Sequence, residues 1–138
     1  MYNPYIRYTE QSVMTMTNGE MLVRLYDETA KQMKQGIAFI EDNNVLAANK
    51  SLTKAHSILN YLTTTLDHKY PISQNLASLY DFFTRQIIEG NARMNAAPIK
   101  DVLPMVEELR DTFAQSEKIV RIQQGQHHNP VTTLAAIG

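Results

Sequence analysis

His56, His68, His127 and His128 are the chain's four histidines, and with no cysteine they set what metal or acid–base chemistry is open to it. A carboxylate-bridged dimetal centre in a helical bundle needs a Glu three residues ahead of a His on each of two helices. Thr53, Thr65, Gln124 and Gly125 hold those positions, so the pattern is missing, and there is no HExxH. His127 and His128 adjoin, but two neighbouring side chains make a weak metal site. Nucleophilic chemistry has neither a thiol nor a GxSxG elbow. Ser51, Ser57, Ser73, Ser78 and Ser116 fall within or beside predicted helices, where capping or solvated roles are usual. No glycine-rich phosphate loop occurs. The adjacent carboxylates Glu107 and Glu108 read as solvated decoration of a helix. The residues thus offer no catalytic constellation, predict no metal and no cofactor, and favour a binding module over an enzyme.

A chain of 138 residues suits one domain and buries roughly two-thirds of its unfolded surface without staples. The net charge of −1, with Lys and Arg scattered, argues against nucleic acid as the main partner. No stretch approaches the roughly 18 apolar residues of a membrane span, and MYNPYIRYTEQ lacks the layout of a signal peptide. Seven Met and no Trp fit either core filling or an adaptable binding surface.

Apolar spacing predicts four long amphipathic helices. The first runs from about Asn18 to Asp42, with Thr17 and Glu20 at capping-box spacing and Met21, Leu22, Leu25, Tyr26, Met33, Ile37 and Ile40 as its stripe. Gly36 inside it reads either as a close helix contact or as a defect. Asp42-Asn43-Asn44 is a turn. The second helix, about Val45 to Lys69, carries Val45, Ala48, Leu52, Ala55, Leu59, Leu62 and Leu66, widened by Ile58 and Tyr61, and stops at Tyr70-Pro71. The third, starting at Ile72 or Ser73, contains NLASLYDFFTRQIIEGN. There Leu76, Leu79, Phe83, Ile87 and Asn91 share one face. Tyr80, Phe82 and Ile88 lie off it, and Asp81, Arg85 and Glu89 form a narrow wet seam. The fourth, about Ile99 to Gln123, carries Val106, Leu109, Phe113 and Val120. Pro104 either follows an Asp101 N-cap or kinks the helix after a short extra turn.

These elements predict an all-α, antiparallel up-down-up-down four-helix bundle spanning residues 17–122. Residues 123–138, which lack Asp, Glu, Lys and Arg, read as a C-terminal tail with little fixed structure. Residues 1–16 are too apolar for a free tail. Tyr5, Ile6, Tyr8 and Val13 are expected to dock on the bundle as a lid, the alternative being a frayed end with chance aromatics. The apolar surplus on the third helix fits two arrangements equally, a groove for a partner helix or a thick core.

NLASLYDFFTRQIIEGN, with SILNYLTTTLD upstream and VEELRDTF downstream, closely resembles the flagellar secretion chaperones (FliS). Further likeness runs from Tyr8–Val13 through Gly19-Glu20, Leu25-Tyr26 and Leu52-Thr53-Lys54-Ala55 to Leu109-Arg110-Asp111 and Phe113. The departures are Asn18 for a usual Pro, Gly90 for Ala, Phe113 for Trp, and a loop from Asn95 to Pro104 with two prolines. The resemblance implies a cytoplasmic export chaperone that binds the C-terminal region of flagellin, blocks its premature polymerisation, keeps it competent for type III export and delivers it to the export gate protein FlhA. It implies a monomer or weak homodimer. Residues combining a family match with surface beyond one stripe are expected to line the flagellin groove: Ile58, Leu62, Leu66, Asn75, Leu79, Tyr80, Ile87 and Asn91. The reading that competes with it is a helical-bundle adaptor or regulator for another amphipathic helix.

Overall fold

The computed structural model describes residues 18–127. The capping-box residue Thr17, the lid residues Tyr5, Ile6, Tyr8 and Val13, and residues 128–138 lie outside them. The described chain forms four helices: α1 Asn18–Glu41, α2 Val45–Thr64, α3 Pro71–Arg93 and α4 Ala97–His127. They make the four-helix bundle that the spacing predicts. Two compact units are distinguished, Leu25–Glu108, which carries parts of all four helices, and Met1–Arg24 with Leu109–Gly138.

Within Leu25–Glu108 the chain direction alternates. Lys34 pairs with Glu107 at 2.9 Å, and Lys100 with Glu41 at 3.3 Å. Seven residues forward on α1 thus match seven residues back on α4, which is antiparallel pairing in one register. Each exposed pair stabilises by about 1 kcal/mol at most, but charges of opposite sign at matched heptad positions disfavour a slipped register. The core takes one stripe from each helix: Tyr26, Ala30, Met33, Ile37 and Ile40; Ala48, Leu52, Ala55, Leu59 and Leu62; Leu76, Tyr80, Phe83 and Ile87; Ile99, Val102 and Val106.

The connections follow from their residues. Asn43 takes a left-handed φ of 58°, which Asn tolerates, and the Asn44 side chain caps α2 by accepting from the Ala47 amide at 3.2 Å. The second helix ends at Thr64, five residues before the predicted Lys69. Thr63, Thr64 and Thr65 donate their hydroxyls to carbonyls of the last turn, those of Leu59, Tyr61 and Leu62. Such back-bonding, on three β-branched residues in a row, weakens the helix there. Pro71 occupies the first turn of α3 instead of terminating α2, where its fixed φ suits the helix and its missing amide is not needed. Its neighbour Ser73 donates to the Asp67 carbonyl at 2.5 Å, tying the connection to α3.

The start of α4 also differs from expectation. The Asn95 side chain accepts from the Ala97 amide at 3.0 Å, so the helix begins at Ala97, ahead of the predicted Ile99, and Asp101 is not its N-cap. Pro104 therefore lies inside a continuous α4, with no separate short helix before it. Lys100, Asp101, Pro104 and Met105 are exposed, so water can reach the backbone group the proline leaves without a partner. The fourth helix continues to His127, past the predicted start of the tail at residue 123.

Gly36 is a close contact and not a defect. A Cβ there would stand 2.3 Å from Cδ2 of Leu52 and 2.6 Å from its Cγ. Gly90 is walled in likewise by Ile99 and the Asn95 carbonyl oxygen. Gly36→Ala should therefore lower stability by about 1–3 kcal/mol through overpacking, although alanine is the better helix former. Urea unfolding checks this, and the cost should shrink when Leu52 is also trimmed to Ala.

Candidate functional site

Chemistry has little to work with in the described residues. No group of three or more His, Cys, Asp or Glu is placed to hold a metal ion among them. The closest approach to a reactive pair is Tyr26 of α1 and Tyr80 of α3. Their hydroxyls are 2.5 Å apart and their rings 6.2 Å apart at a 50° tilt, deep in the core. Burial pushes both phenols above their ordinary pKa, Tyr26 far above it. The proximity and hydrogen bond of Tyr80 raise Tyr26 further, whereas the hydrogen bond from Tyr26 partly offsets the shift at Tyr80. Both stay neutral near pH 7. They are a polar tie between two helices, not an acid–base couple.

The expected groove residues separate into two groups. Leu62, Tyr80 and Ile87 are each about 1% exposed and belong to the core. Ile58, Leu66 and Leu79 are half-buried at its margin, Asn75 is exposed, and half-buried Asn91 donates its amide to Oδ1 of Asn49 at 2.9 Å across the α2/α3 seam. The inward stripe of α3 is Leu76, Tyr80, Phe83, Ile87 and Gly90, so Tyr80 takes the place that periodicity gave to Leu79. Either residue satisfies helical spacing. Tyr80 can turn inward because Tyr26 meets its hydroxyl, a partner 54 positions away that local spacing does not reveal.

The apolar side chains left outside are those off the stripe. Phe82 is 43% exposed and Ile88 48%, on opposite flanks of α3. Leu79, Phe82 and Gln86 share one flank at spacings of three and four; Thr84, Ile88 and Asn91 share the other. Asn91 meets Asn49, which assigns its flank to the α2 side, and Gly90 abuts Ile99, which turns the Leu79 flank toward α4. Met105 of α4 is exposed as well, and antiparallel pairing from the Gly90–Ile99 contact brings it level with Thr84. On α2, Val45 and Leu46 are exposed, although Val45 fits the predicted stripe; first in the helix, it lies beyond the covered part of the core. The wet seam of α3 is as expected, with Arg85 on Asp81 at 2.7 Å and Arg93 on Glu89 at 2.6 Å. The arrangement is therefore a sealed polar-tied core with apolar ridges on its outer faces, suited to holding apolar surface of a partner.

Comparison with known proteins settles the family. The family described as "Flagellar protein FliS" matches residues 1–120. The chain belongs to the FliS family. Among its relatives is the flagellar secretion chaperone FliS of Bacillus subtilis (strain 168), 29% identical over 114 residues, which cover 83% of this chain and 86% of that protein. The flagellar secretion chaperone FliS of Escherichia coli (strain K12) is 27% identical over 78% of this chain and 81% of its own. That of Salmonella typhimurium (strain LT2) is 26% identical over 85% and 89%. The family match covers all of α1, α2 and α3 and most of α4 of this FliS-family bundle. Among the described residues no helix is long and apolar enough to cross a membrane.

The tyrosine tie has a pH signature. In the unfolded chain both phenols ionise near 10.0, whereas the fold raises their pKa and holds them neutral. Their contribution is fully present below pH 10 and is lost as pH rises above it. The wild-type midpoint of urea unfolding should fall more steeply between pH 9 and 11, about the range of unperturbed tyrosine ionisation, than that of the Tyr26→Phe/Tyr80→Phe variant. At pH 7, Tyr80→Phe alone should cost about 0.5–1.5 kcal/mol for the lost hydrogen bond.

Proposed function

We propose that this protein is an export chaperone of the bacterial flagellum that works in the cytoplasm, as a monomer or weak homodimer. It binds the C-terminal region of flagellin, prevents its premature polymerisation, and passes it to the type III export gate protein FlhA. Family membership carries the export-chaperone role. The observation that supports a helical cargo is the set of apolar side chains standing outside a complete core, on both flanks of α3 and on α4. A terminal segment of flagellin is an assembly surface. Covering its apolar stripe on the chaperone removes it from the reach of other flagellin molecules, the logic of helix-in-groove recognition.

The contact set is Leu79, Phe82 and Met105 along the α3/α4 seam, and Ile58, Leu66, Ile88 and Asn91 along and beside the α2/α3 seam, with Asn75 at the N-terminal end of α3. Leu62, Tyr80 and Ile87 act from beneath by fixing the helices. Burying a leucine or phenylalanine at such a contact contributes roughly 1.5–3 kcal/mol, so losing one weakens binding by about tenfold or more.

Titration calorimetry with the C-terminal segment of the source organism's flagellin tests this. Wild-type protein should bind it, and Leu79→Asp or Phe82→Asp should weaken binding by about tenfold or more while the melting temperature stays nearly constant. Ile87→Asp should instead unfold the bundle. Absence of binding by the wild-type chain would refute the cargo assignment; undiminished binding by both surface variants would refute the contact set.

A further inference from the structure

We propose that Glu117 of α4 and Gly19 of α1 form a carboxylate latch that holds the first turn of α1 closed. Both residues lie in the unit made of Met1–Arg24 and Leu109–Gly138, apart from the core and seams described above. Glu117 is only 4% exposed, among the most deeply buried ionisable side chains of the described chain. Its position has a specific address. A Cβ built on Gly19 would stand 1.9 Å from Oε2 of Glu117 and 2.9 Å from Cδ. The carboxylate therefore rests against the backbone of α1 in the space a side chain would fill, and position 19 admits it only because it is glycine.

Position 19 is the second residue of α1. The first-turn amides of a helix have no partners within the helix, and the helix dipole makes that end positive. A carboxylate is the side chain that such an end favours, and it is normally supplied by the residue just before the helix. Here a carboxylate arrives from another helix, almost a hundred positions along the chain. Burying it is costly unless it is hydrogen-bonded. Glu117 has a bonding partner, and its carboxylate lies against the first turn of α1 at Gly19. The latch thus joins the start of α1 to α4 through the contact of this carboxylate with the bare backbone at Gly19. It gives that turn two states, seated and unseated, and it stands independently of what the outer faces bind.

Two rules of substitution oppose each other at Gly19, which makes the latch testable. Helix propensity alone says that Gly19→Ala stabilises α1. The latch says that it expels Glu117. Hydrogen exchange of the amides of residues 20–24, measured on the full chain, should be faster by roughly tenfold in Gly19→Ala and in Glu117→Ala. In the double variant Gly19→Ala/Glu117→Ala, the alanine at 19 should add nothing to the effect of Glu117→Ala, or should slow exchange. Glu117→Gln keeps the shape and loses the charge. It should speed exchange by a smaller factor, about threefold, in those amides and not in those of the core helices. Slower exchange in Gly19→Ala, additive effects in the double variant, or wild-type exchange in Glu117→Gln would each overturn the proposal. The Gln variant decides it alone if alanine at 19 prevents folding.

Discussion

Each helix of the unit Leu25–Glu108 can turn only one stripe toward the common interior, and the interior is already full. Leu52 lies against the bare backbone of Gly36, and Ile99 against that of Gly90. At such contacts even a methyl group has no room. Whatever apolar residue is not on the stripe stays outside, whether or not the chain would be better off burying it. Phe82, Ile88 and Met105 are outside for this reason. In a protein without a partner they would be a liability. They are the side chains that the proposed cargo would cover.

The same constraint explains why a polar pair is placed in the middle of the core. Tyr80 enters the interior at the cost of bringing a hydroxyl with it, and Tyr26 satisfies that hydroxyl from the other side. Leu79, freed from the stripe, moves to the seam. One hydrogen bond across the bundle thus fixes the rotation of α3 about its own axis, and with it which apolar residues face out. Charge fixes the complementary degree of freedom: Lys34 with Glu107 and Glu41 with Lys100 set how far α4 slides along α1. Rotation and register together determine the outer ridges, so the proposed binding surface would be a consequence of the core and not a separate construction.

Much of this was legible in the sequence. The four helices, the turn at Asp42–Asn44, the charged seam of α3 and the family resemblance all follow from local spacing and from the residues themselves. Three features were not. The exchange of Leu79 for Tyr80 depends on a hydroxyl partner in another helix. The early end of α2 depends on threonines that divert their hydroxyls to the backbone, a competition that apolar period does not register. The continuity of α4 through Pro104 depends on a cap at Asn95 that starts the helix before Pro98 and on the exposed side of the helix at the proline. Of the candidate groove, the margin residues Ile58, Leu66 and Leu79 were separable from core residues such as Leu62 and Ile87 only once the bundle's rotation was known.

The central claim is that core and cargo surface are distinct sets of side chains, and methyl-resolved NMR reads it directly. On titration with the C-terminal segment of flagellin, the methyl signals of Ile58, Leu66, Leu79, Ile88 and Met105 should shift, while those of Leu52, Leu59, Leu62, Ile87 and Ile99 hold their positions. Shifts confined to the core set, or spread evenly over both, would contradict the account.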